Sequence, residues 1–255
     1  MPLDRTEPST SEVKSTRAKQ DSIIVEHSEN GARKHSYYSR EWQEELDAGL
    51  AKDSTIAYLW RQKAMPLFKQ GKYEKGMEYI DKAVQYDRLE YQDYRAFIKC
   101  IFAQTYREAI IDFEDCKKRF GNSYVMDHTY DFHIALSYLQ LNEFEIAEEI
   151  FKRDYENQIS EHNEDWLHPV DLFYFGICKY ELGKYQEAID LFDLSLDRHE
   201  TFSDAQYYKA QALRRIGKLE EAKELLVIAK ANADQGRTFS EDNIIYERYP
   251  YQVRW

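Results

Sequence analysis

The chain has 255 residues, with 35 Lys and Arg against 47 Asp and Glu and a formal charge of -12. So acidic a balance opposes general binding to nucleic acid or to an anionic membrane, which needs a broad basic field, and no apolar run reaches the roughly 18 residues of a spanning helix. Aromatics make up 15% of the residues, 21 of them Tyr, under a mean hydropathy of -0.77, so many rings must pack between helices or form a partly exposed contact surface.

Residues 1–36 are rich in Ser, Thr, Glu, Lys and Arg, with Ile23-Ile24-Val25 as a brief apolar patch. Such a stretch buries too little to offset its chain entropy, and a disordered tail is expected. The first residues, Met1-Pro2-Leu3-Asp4-Arg5, do not read as a signal segment, and a cytoplasmic location is expected. Cys100, Cys116 and Cys178 are odd in number and show no CxxC spacing, which fits a reducing compartment. From Ser39 a capped helix is expected with Trp42, Leu46, Gly49 and Leu50 on one face, a half-repeat that closes the end of an array.

A short pattern then recurs: a turn, an aromatic or Leu, a small residue three places on and a bulky apolar one seven places on. It reads Tyr73, Gly76 and Ile80; Tyr106, Ala109 and Phe113; Phe144, Ala147 and Phe151; Tyr185, Ala188 and Phe192; and Leu219, Ala222 and Leu226. Spacings of three and seven share a helical face, and a period near 34 residues means one helical hairpin per copy. Hairpins are expected at about 55–88, 90–121, 125–160, 168–200 and 203–234, within an array over 37–236. Segments near Gly121 to Ser123 and Glu161 to Trp166 are insertions, the latter with Trp166 tucked against the stack. Pro66 should kink its helix, and Asp154, at a small apolar place, should loosen the third hairpin. Residues 237–255, dense in aromatics, read as a strap covering the last hairpin, the other reading being a peptide motif bound by another protein or by a second copy.

Trp60, Phe175-Gly176, the Gly-Lys-Tyr turns at 71–73 and 183–185 and the repeated alanines together resemble the tetratricopeptide repeat family, over residues 57 to about 236. The resemblance implies an all-α fold, a right-handed α-α superhelix of about five hairpins with an N-terminal half-repeat cap, whose concave wall is built from first helices. It implies a scaffold that binds protein or peptide. The family's clamp for chaperone C-termini is not reproduced, since only Arg61 stands where a cation belongs and Met65 occupies the Asn place.

If the first helices follow that geometry, the wall presents Tyr58, Arg61, Lys69, Arg95, Lys99, Phe132, Phe173, Tyr207, Arg214 and Arg215. Those cations and rings suit an acidic peptide with an apolar anchor; the other reading is that the cations pair with acids of neighbouring helices. Self-assembly into a homo-oligomer and binding of a small ligand stand as alternatives. His128 and Asp131 form an i,i+3 pair at an expected helix start, where Asp127 or Asn122-Ser123 is the expected cap, and His162 and His168 flank Trp166. Neither group alone supplies the three or four convergent ligands of a metal site, and no nucleophile or phosphate-loop motif is present. The expectation is a non-catalytic interaction protein without cofactor or metal.

Overall fold

Two units make up the chain, one ending at Arg95 and the other running from Ala96 to Trp255. The computed structural model describes residues 10–255. In chain order its helices are α1 (Thr10–Ile24), α2 (Arg40–Lys52), α3 (Ala57–Phe68), α4 (Tyr73–Tyr86), α5 (Arg88–Ile101), α6 (Tyr106–Phe120), α7 (Tyr130–Gln140), α8 (Phe144–Glu161), α9 (Pro169–Glu181), α10 (Tyr185–Arg198), α11 (Ser203–Arg215) and α12 (Leu219–Asp234). From α3 onward they form five hairpins. Two residues ahead of each second helix the backbone turns left-handed, at Gly71, Gln104, Asn142, Gly183 and Gly217. The hairpin of α5 and α6 uses Gln104 (φ 55°) where the turn favours glycine.

In the first unit α2 buries Trp42, Leu46, Gly49 and Leu50, and its cap is Ser39, whose Oγ accepts from the Trp42 amide at 3.2 Å. The expected disordered tail is corrected over residues 10–36; residues 1–9 lie outside the described residues. After α1 come a π-helical turn at Val25–Glu29 and a 3-10 turn at Ala32–Lys34. Ile23 and Ala32 join Trp42, Leu46 and Leu59 in one buried cluster, while Gln20 donates to Asp53 at 3.0 Å and Lys52 pairs with Glu26 at 2.7 Å. A few well-placed small and apolar side chains suffice because α2 supplies the rest of the core. Pro66 sits inside α3. The carbonyl its missing amide would have bonded, Gln62 O, accepts the Trp42 indole N–H at 3.2 Å instead.

In the second unit the small residues permit close helix approach: Ala109, Ala147, Ala188 and Ala222 are fully buried. A Cβ on Gly176 would lie 2.6 Å from the Phe192 ring. The first insertion is a small hairpin, β1 (Tyr124–Val125) antiparallel to β2 (His128–Thr129), turning through Met126 and Asp127 at φ 49° and 69°. Two successive left-handed residues give the turn a twist that matches the strands. Consequently α7 starts at Tyr130, with Thr129 as its cap and Asn122 Oδ1 accepting from the Asp131 amide at 2.8 Å. Asp154 does not leave the third hairpin unsatisfied: it accepts from Asn122, Thr129 and Gln158, each at 2.9 Å. Trp166 is not tucked in but 58% exposed, with its ring against His162.

Candidate functional site

Residues 237–255 lie along the first helices of the second unit. Phe239 is buried among Phe173, Tyr174 and Phe202, and Tyr249 packs on Phe239. The Tyr174 hydroxyl donates to Pro250 O at 2.8 Å, and Asp204 accepts the Val253 amide at 2.7 Å and the Thr238 hydroxyl. Tyr251 and Trp255 meet Tyr208 and Tyr207 with centroids 5.9 and 5.6 Å apart. The strap thus covers the faces of α9 and α11, whereas Leu219, Val227 and Ile228 of α12 stay exposed. The strap meets the last hairpin through α11, its first helix, and extends from there onto α9.

Beneath the start of the strap is a buried polar cluster. His128 Nδ1 lies 2.5 Å from Asp171 Oδ1 and its Nε2 lies 3.3 Å from Glu241 Oε1. The ring stacks on Phe132 with centroids 4.2 Å apart and meets His168 edge-on at 4.9 Å. Burial opposes a charge on His128, but Asp171 and Glu241 outweigh it and raise the imidazole to about 10. His168 caps α9, its Nδ1 accepting from the Val170 amide at 3.3 Å. Burial pushes Asp154 up to about 6, with Asp171 adding to the effect, and burial pushes His133 down to about 3, assisted by His128. One ring nitrogen of His128, one of His168 and a Glu241 oxygen lie within 4.8 Å of one another. The expected pairing of His128 with Asp131 does not form, because His128 is on β2 and Asp131 instead meets Lys117 and Arg153.

The expected groove residues divide. Phe132 and Phe173 are not exposed anchors: they are 1% and 0% exposed, held between helices and, for Phe173, under Phe239. Tyr207 contacts Trp255 of the strap. Among the cations, Arg95 pairs with Asp81 at 2.9 Å, and Lys99, buried, pairs with Asp112 at 2.9 Å and Glu108 at 3.3 Å. Arg61 lies over the Tyr94 ring, Lys69 over Tyr37 and Arg215 over Tyr185, and Arg214 donates to Gln211. Tyr58, whose hydroxyl accepts from Arg33 at 3.4 Å, lines a cleft of about 760 Å³ within the first unit. One wall is α1 with Arg17, Asp21 and Ile24, and the other is the start of α3 and the α4–α5 junction with Tyr86, Asp87, Glu90 and Tyr91. Sequence reading missed this cleft because it gave α1 no structure.

Solved structures align with most of this arrangement. The chain is similar to PilW, a widely conserved type IV pilus biogenesis factor, at 16% identity and a TM-score of 0.65, over 84% of this chain and 94% of PilW. It is similar to a tetratricopeptide repeat protein from Parabacteroides merdae at 15% identity and a TM-score of 0.65, over 84% of this chain and 79% of that one. The fold is a tetratricopeptide-repeat fold. A third tetratricopeptide protein, YrrB, described as having an unusual peptide-binding site, aligns at 18% identity and a TM-score of 0.53 over 80% of this chain and 96% of YrrB. No protein-family profile matches the sequence, and no curated protein does. Among the described residues no helix is long and apolar enough to cross a membrane.

Proposed function

We propose that this tetratricopeptide-repeat chain is a non-catalytic adaptor that holds an extended segment of another protein in the cleft between α1 and the heads of α3 and α5. The observation that carries the reading is the strap. An extended, aromatic-rich segment is held on first-helix faces of the second unit by a tyrosine hydroxyl on its carbonyl, a carboxylate on its amide and rings against its rings. The cleft of the first unit offers the same chemistry: Tyr58, Tyr86 and Tyr91 beside Ile24, with Asp21, Asp87 and Glu90 able to accept from a backbone or a cation.

The peptide's charge follows from the lining. Asp21, Asp87 and Glu90 face it against Arg17, while Arg95 and Lys99 are engaged by acids of neighbouring helices, Asp81 on α4 and Asp112 on α6. A segment with basic residues and an aromatic anchor is therefore favoured over the acidic peptide that the sequence suggested. A displayed library of random peptides selected on the full chain should enrich basic and aromatic sequences, and the enrichment should vanish on a D87K/E90K chain. No enrichment, or enrichment indifferent to those changes, refutes the reading.

A further inference from the structure

We propose that His128, His168 and Glu241 form a site for a divalent transition metal of the zinc class, which fastens the start of the C-terminal strap to the body of the second unit. A tetrahedral ion with ligands at about 2.0–2.2 Å spaces its donor atoms roughly 3.4 Å apart. The His128 Nε2 and Glu241 Oε1 atoms are already 3.3 Å apart, and the His168 donor lies within 4.8 Å of both. Two imidazoles and a carboxylate make a donor set suited to zinc, with a water completing the coordination.

Asp171 supplies the supporting shell. It faces His128 Nδ1 at 2.5 Å, the arrangement in which a carboxylate fixes a ligating histidine so that its other nitrogen faces the ion. Asp171 and Glu241 bring two carboxylates to a site where His128 is 2% exposed, one able to ligate a dication and the other to support a ligating histidine. Coordination by His168 gives up the long bond at 3.3 Å between its Nδ1 and the Val170 amide, a weak contact beside a metal–nitrogen bond. The three ligands come from β2, the head of α9 and the strap, so the ion ties the strap's start to β2 and α9, adding to the packing of Phe239 and the contact of Glu241 with His128 at 3.3 Å.

Zinc chloride titrated calorimetrically into the full chain should show one saturable site. In E241Q and in H168N the affinity should fall by roughly tenfold or more, and zinc should slow hydrogen exchange in residues 237–245 of the parent chain alone. E241Q changes a partly exposed residue of the strap and keeps its shape, which separates loss of a ligand from loss of fold. Absence of saturable zinc binding by the parent chain, or unchanged affinity in either variant, overturns the site.

Discussion

Replacing Asp204 by Ala should release the strap, because this one side chain, fully buried, holds both of its ends. Asp204 accepts the Thr238 hydroxyl near the strap's start and the Val253 amide near its end, the latter at 2.7 Å. A hydrogen bond to a charged group contributes about 1.5–3 kcal/mol, so two amount to about 3–6 kcal/mol. Burial raises the carboxyl of Asp204 above its ordinary range, which means that part of this gain is already offset by desolvation and places the net effect near the lower end. The loss has a ceiling: once it exceeds the strap's docking free energy, residues 237–255 peel away and rehydrate while the helices remain. A loss of about 3 kcal/mol would lower the melting temperature by roughly 6–12 °C. Circular dichroism during urea unfolding reads the helices, and hydrogen exchange of 237–255 reads the strap. If the midpoint and the exchange of the Val253 amide both stay as in the parent chain, the clamp is wrong.

Other consequences are sharp enough to measure. Gly176→Ala gains about 1 kcal/mol of helix propensity but drives a Cβ to 2.6 Å from the buried Phe192 ring, an overpacking that costs about 1–3 kcal/mol; a net loss of up to about 2 kcal/mol is expected in urea, and a gain would contradict the packing. Ile23→Ala should destabilise the first unit by about 2–5 kcal/mol, since Ile23 belongs to the Trp42–Leu46 core; an unchanged midpoint would restore the tail reading. Burial lowers His133 to about 3 against about 6.5 unfolded, so its share of stability is complete above pH 6.5. As pH falls from there toward 3, the unfolded chain takes up a proton that the folded chain refuses, a loss of about 1.4 kcal/mol per pH unit. His133→Phe should therefore show the shallower decline in urea midpoint between pH 6 and pH 4, and parallel declines would refute this.

The five hairpins were legible because their signals are local. Glycine or Asn turns, small residues at Ala109 or Ala188 and the rings three places before and four places after them need no partner to be read. The helix α1 was not legible: of its residues 16–24, Ile23 is the buried one, with His27, Ser28 and Ala32 following it, and its core is lent by α2. Phe132 and Phe173 were assigned to an open wall because a family register says which helix face is inward, not what lies over it. The 237–255 strap supplied that cover for Phe173. Its aromatic density was visible in the sequence, but its seat on α9 and α11 was not. The cluster of His128, Asp171 and Glu241 joins residues up to 113 apart in the chain, with no motif spacing to find it by.

The adaptor reading meets its most direct test in the affinity of one selected basic and aromatic peptide for the parent chain and for D87K/E90K, measured by fluorescence anisotropy at several salt concentrations. Saturable one-to-one binding is expected, weakened roughly tenfold or more by the double reversal, with helix content kept and stability lowered only by the lost Asp87 cap on the Glu90 amide, about 1 kcal/mol. Equal affinity for the two chains would contradict the assignment of this cleft as the partner site.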